Sequence, residues 1–86
     1  MRHAARIDGN KRKIVDALRQ HGAYVYDLKL PVDLMVGYKG RTILMEVKVK
    51  NKGRFTPLQN EFLDEWTGGP LWVVYSVEDA IEALGE

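Results

Sequence analysis

The chain has 86 residues, no cysteine and a formal net charge of +1. That length allows one domain, residues 1–86, burying roughly 60–65% of its unfolded surface. Without cysteine it forms neither a disulfide nor a thiolate metal site, so zinc-finger classes are excluded.

No apolar run is long enough to cross a bilayer, and the opening "MRHAARIDGN" lacks the apolar core of a signal peptide. The expected location is the cytoplasm, or the bacterial host cytoplasm if the chain is phage-encoded. The small net charge conceals a division. All 13 Lys and Arg fall in residues 1–54 with five acids, a net of +8, while residues 55–86 hold seven acids and no base, a net of −7. A basic half suits a polyanion and an acidic half suits water or a partner, although two solvated faces would give the same count.

In chain order, the first helix follows "IDGN" with Asp8 or Asn10 as cap, buries Ile14, Ala17 and Leu18, and stops at Gly22. "AYVYDL", residues 23–28, is rich in aromatic and β-branched residues and predicts a strand. Two hairpin strands follow, over about 32–37 and 41–49, and then a basic loop, "VKNKGR". "TPLQNEFLDEW" predicts a helix with Thr56 as cap, Pro57 at its first position and Leu58, Phe62 and Trp66 along one stripe. "TGGP" ends it. "LWVVY", residues 71–75, is a continuous apolar run of the kind expected in a strand covered on both faces, and Ser76 caps a last short helix. The order α-β-β-β-α-β-α predicts an α/β three-layer sandwich on a mixed four-stranded sheet, with a right-handed parallel crossover between residues 41 and 75.

The hairpin carries two carboxylates among apolar residues. With Lys39-Gly40 as a two-residue loop, Tyr38 pairs with Arg41 and Asp33 lies opposite Glu46. One face is then wholly apolar (Val32, Leu34, Val36, Ile43, Met45, Val47), and the other holds Asp33, Met35, Leu44, Glu46 and Lys48. A three-residue loop would scatter charge over both faces, which a buried face opposes. An ordinary wet face would carry polar residues at 35 and 44 as well. Met35 and Leu44 imply that something covers it. Facing carboxylates on a covered face need a proton or a cation, and a hard divalent metal suits oxygen ligands. His3 and His21 have no partner at ligand spacing.

Asp33, the triplet Glu46-Val47-Lys48 and Gln59 on the next helix resemble the PD-(D/E)xK nuclease superfamily. Within it the chain looks like the small VRR-NUC-type domains, often stand-alone phage proteins, and its layout is similar to that of archaeal Holliday-junction resolvases. The likeness runs from the first helix to the last strand. Two features depart from the pattern. Val32 separates Pro31 from Asp33, and the first helix opens on Asn10-Lys11-Arg12-Lys13 where the family commonly has an acid, with Asp8 and Asp16 nearby.

The resemblance implies a restriction-endonuclease-like αβββαβ core and a metal-dependent endonuclease acting on branched or structured DNA. It implies that Asp33, Glu46 and the carbonyl of Val47 ligate Mg²⁺ or Mn²⁺, that Lys48 orients the attacking water or neutralises phosphate charge, and that Gln59 joins the catalytic set. "TPLQ" is equally a capping box, in which Gln59 reaches back to Thr56. Lys11, Arg12 and Lys13, with Lys50, Lys52 and Arg54, are candidate contacts to DNA phosphates. A homodimer is expected, since a domain this small gains from burying further apolar surface and two sites would cut two strands. Two other classes stay open: an inactive DNA-binding module on a nuclease fold, and a protein-interaction domain using its acidic half.

Overall fold

A computed structural model describes residues 9–49 and 55–85. Helix α1 (Gly9–Gln20) buries Ile14 and Leu18 completely. It ends where Gly22 takes a φ of 95°, so that the Ala23 amide reaches back to the Leu18 carbonyl at 3.1 Å and the Gly22 amide to Arg19 at 3.0 Å. These two bonds close the last turn, and the left-handed backbone between them favours glycine. Strand β1 (Tyr24–Asp27) follows, then the hairpin β2 (Leu34–Tyr38) and β3 (Arg41–Val47). Its turn residues Lys39 and Gly40 have φ of 49° and 80°, the positive pair that matches the twist of the flanking strands. The chain continues through α2 (Pro57–Glu65), β4 (Leu71–Val74) and α3 (Val77–Ala83), the element order the sequence predicts.

The sheet runs β1-β2-β3-β4, with the first two pairings antiparallel and β3–β4 parallel. Tyr38 faces Arg41 and Leu34 faces Met45, the register that leaves one face apolar. Val32, Leu34, Val36, Ile43, Met45 and Val47 are all buried. Most of them join Ile14 and Leu18 of α1 and Ala80, Ala83 and Leu84 of the α3 end in one core. The chain is thus a small α/β domain with a mixed four-stranded sheet and, among the described residues, three helices.

Two elements differ from expectation. "LWVVY" is not covered on both faces: β4 is an edge strand, with Trp72 40% and Tyr75 42% exposed. An uninterrupted apolar run does not say whether a strand lies inside a sheet or at its margin. The stripe expected on α2 is also mostly uncovered. That helix buries no residue, Leu58 is 75% exposed, and Phe62 packs on Trp66 with ring centroids 5.2 Å apart. Local chemistry stabilises it instead, through its N-terminal cap.

Candidate functional site

The site begins where the β2–β3 ladder stops. Asp33 is the residue before β2, next after the Leu34–Met45 pair. Its amide donates to Glu46 Oε1 at 3.0 Å, while its carbonyl accepts from the Leu28 amide at 2.8 Å. A regular strand residue turns both groups toward one neighbour. Asp33 turns them toward different neighbours, so its side chain leaves the ladder's pleat. Asp33 Oδ2 then accepts from the Val47 amide at 2.9 Å. The two carboxylates do meet, each laced to the main chain of the other's segment. One oxygen of each is taken by an amide; Asp33 Oδ1 and Glu46 Oε2 are left to other partners.

Gln59 reaches Glu46 Oε2 with its Nε2 at 2.9 Å. Its Oε1 accepts from the Thr56 amide at 3.1 Å, and its own amide donates to Thr56 Oγ1 at 3.1 Å. The capping box and the site contact coexist in one side chain, because a carboxamide has an acceptor for the helix end and a donor for the carboxylate. Lys48 Nζ lies 3.6 Å from Glu46 Oε2 and 4.9 Å from the centre of the Phe55 ring. It pairs with Glu46 as a surface lysine would, yet its side chain is only 15% exposed.

Lys11 sits in the site as well. From α1 it places Nζ 3.1 Å from Asp27 Oδ1 and 3.5 Å from Asp33 Oδ1. The sequence reading groups it with Arg12 and Lys13 as a phosphate contact. Those two are exposed on α1, whereas Lys11 is half-buried and turned to carboxylates. Lys50, Lys52 and Arg54, and Asp8 with them, lie outside the described residues. Asp27 is a site residue the sequence reading missed. It ends β1, and only its pairing with Leu34 brings it beside the start of β2. Asn10 fastens α1 to the same end of the sheet, donating to the carbonyls of Lys48 and Tyr75 at 3.2 Å each.

The electrostatics follow from burial. Glu46 is 2% exposed, and desolvation, helped by the Asp33 charge, pushes its carboxyl above the ordinary value of 4.5. Asp27 moves the other way: its hydrogen bond from Lys11, supported by Lys29, holds it below 3.8. The buried Glu46 carboxylate, when ionised, therefore calls for positive charge beside it. Asp33, Glu46 and the Val47 carbonyl are hard oxygen donors of the kind Mg²⁺ and Mn²⁺ take. Leu44 and Lys48 bond β4 through their amides, so Val47, of opposite parity, turns its peptide groups toward Asp33. The donor set fits one ion that keeps several waters. Among the described residues, no three His, Asp or Glu side chains form a ligand cluster.

No protein-family model, curated protein or solved structure matches this chain.

Proposed function

We propose that the chain is a metal-dependent endonuclease of the PD-(D/E)xK type. It would hydrolyse DNA phosphodiester bonds, on branched or structured DNA, from a restriction-endonuclease-like core of the VRR-NUC kind. The observation that carries this reading is the convergence on Glu46 Oε2: a buried carboxylate tied to Asp33 meets the amide of Gln59 and the ammonium of Lys48. Groups from three separate segments, Asp33, the Glu46–Lys48 strand and Gln59 on α2, would not gather there merely to make a sheet face soluble.

Bound Mg²⁺ or Mn²⁺ would supply an activated water and offset charge at the scissile phosphate. The chain's own residues do the rest. The Val47 and Asp33 amides fix one oxygen of each carboxylate, and an ion held by Asp33, Glu46 and the Val47 carbonyl would share the other oxygens, Asp33 Oδ1 and Glu46 Oε2, with Lys11, Gln59 and Lys48. Gln59 orients Glu46 from a helix whose own start it holds. Lys48, sheltered by Phe55, keeps a positive charge at the edge of the site, where it would meet a phosphate oxygen or the attacking water. A homodimer belongs to the same reading, supported by the apolar surface of Trp72 on edge strand β4 and of Tyr75 just after it.

One observation favours a second reading. Lys11, Gln59 and Lys48 already satisfy both carboxylates. A DNA-binding module that had lost catalysis would look the same. Incubation with linear, nicked, flapped and four-way DNA in Mg²⁺, Mn²⁺ or EDTA separates them. Cleavage that EDTA stops, and that folded Asp33→Ala and Glu46→Ala variants both lack, supports the nuclease. Binding in Ca²⁺ with no cleavage in any metal supports the module. Full activity in either folded variant sinks the site assignment.

A further inference from the structure

Strand β1 is the sheet's edge opposite β4, and two of its side chains stand open on the outer face. Val25 is buried in the core, so Tyr24 and Tyr26, on either side of it, project from the opposite face, 66% and 52% exposed. Alternate residues of a strand are about 7 Å apart. Across the ladder, Tyr24 faces Gly37 and Tyr26 faces Met35, which in turn faces Leu44. Glu46 lies two residues beyond Leu44 on the same face of β3, so the tyrosines and the carboxylate site share one surface. Helix α2, which buries none of its residues, meets that surface through Gln59 at Glu46.

Gly37 is the informative position. Glycine inside a central strand weakens it, and often marks the close approach of a ligand or another backbone. Neither conformation nor packing demands glycine here. Its φ lies outside the left-handed region, and a methyl group would meet only the Tyr24 Cβ, at 3.9 Å, an ordinary contact. The missing side chain leaves a flat floor beside an open ring. Charge then selects the ligand. Helix α1, packed on β1, carries four Lys or Arg and one acid, whereas α3, packed on β4, carries three acids and no base. Arg12, Lys13 and Arg19 are exposed, and Arg19 Nη2 donates to the Val25 carbonyl at 3.2 Å, which sets a guanidinium at the β1 edge between the two tyrosines. Asp27, at the end of the strand, is answered by Lys11. A polyanion that carries flat rings fits this edge and not the other.

We propose that the outer face of β1 and β2 binds single-stranded DNA, one base stacked on Tyr24 and the next on Tyr26, with the phosphates turned toward Arg19. Aromatic rings hold unpaired bases whatever their identity, because every base has a π-face. Bases inside a duplex already stack on one another and gain nothing from this surface. The choice of DNA, and the passage of that strand toward Glu46, rest on the nuclease reading; the stacking itself does not depend on cleavage.

The test is fluorescence anisotropy in EDTA, with a labelled oligothymidylate and an abasic strand of the same length, which keeps the phosphates and lacks the bases. Wild type should bind the oligothymidylate at least about tenfold more tightly. Tyr24→Ala and Tyr26→Ala should each lose about tenfold for the oligothymidylate and nothing for the abasic strand. Tyr24→Phe and Tyr26→Phe keep the ring and should keep the affinity. Gly37→Val should hold or raise the urea midpoint, since valine suits a strand, and still weaken the oligothymidylate alone. Arg19→Met should weaken both strands and flatten the salt dependence. Should an alanine variant fail to fold, Tyr24→Ile or Tyr26→Ile, which keeps a strand-forming side chain, is read in its place. Equal binding of the two strands by wild type overturns this inference, as does unchanged oligothymidylate binding in the folded alanine or Gly37→Val variants; cleavage by wild type then leaves the nuclease reading standing. Base-dependent binding that both alanine variants lose, in a protein that cleaves nothing in Mg²⁺ or Mn²⁺, supports the platform and overturns the nuclease reading.

Discussion

On the inner face of the β2–β3 hairpin, Val32, Leu34, Val36, Ile43, Met45 and Val47 are buried against α1 and α3. On the outer face, Asp33, Glu46 and Lys48 are held by one another, by two main-chain amides and by Gln59. The inner face gains about 1.5–3 kcal/mol per fully buried large side chain, with little regard for exact partners. The outer face has no such reserve. Each polar group there is stable because a particular neighbour satisfies it, and losing one leaves another buried without its partner. The same division separates the helices: α1 is fixed by the core, whereas α2 is fixed by a cap and one carboxamide.

The largest contrast should appear in stability. Leu18→Ala, in the core, should cost about 2–5 kcal/mol in urea unfolding. Leu58→Ala on α2, where the side chain is 75% exposed, should stay within about 0.5 kcal/mol. Comparable losses in the two would mean that α2 is packed as firmly as α1.

Gln59 sharpens the comparison next. Gln59→Ala removes both the return arm of the capping box and a hydrogen bond to a buried carboxylate, so a loss of about 1–3 kcal/mol is expected. Gln59→Glu keeps an acceptor for the Thr56 amide but sets a second negative charge against Glu46. It should preserve the start of α2 in hydrogen exchange and still be destabilised at neutral pH. Protection lost at Thr56 and Gln59 in the glutamate variant would contradict the dual role.

The pH dependence separates the faces by sign. Glu46 has a raised folded-state value, so the native state holds its proton more tightly than the unfolded chain. That contribution is full below about pH 4.5, the ordinary value, and is lost as pH rises through the raised one. In EDTA, the urea midpoint of wild type should fall with rising pH across that window, and Glu46→Gln should flatten the fall. Mg²⁺ should flatten it as well, since a cation favours the ionised carboxylate. Core variants such as Leu18→Ala should lower the whole curve without changing its slope.

The smallest effect belongs to Asp27. Its lowered value adds stability that is present above about pH 3.8 and lost as pH falls through the folded value. Its side chain is 45% exposed, so solvent screening limits the loss in Asp27→Asn to about 0–1 kcal/mol. High salt should erase most of it, whereas salt should leave the Glu46 slope largely in place.

Much of this is legible in the sequence. The alternation over residues 32–48, with Lys39-Gly40 between the strands, specifies the register, because a slip of one residue would turn the apolar residues of a strand's buried face outward. Once the register is known, Asp33 and Glu46 must be neighbours. Thr56, Pro57 and Gln59 write the start of α2 in the same local way. Gly22 likewise marks the end of α1.

Other features had no local signal. "LWVVY" is equally apolar whether its strand is central or at an edge; only the placement of β4 at the sheet's margin, beside β3 and with no further strand among the described residues, exposes Trp72. Lys11 reads like Arg12 and Lys13, and its approach to Asp27 and Asp33 depends on how α1 is rotated when Ile14 and Leu18 enter the core. The sequence by itself determined the element order, the hairpin register and the meeting of two carboxylates, because those follow from short-range periodicity and turn chemistry. Only the tertiary structure decided which cations answer those carboxylates, because a lysine's reach is set by the docking of its helix and not by its neighbours in the chain.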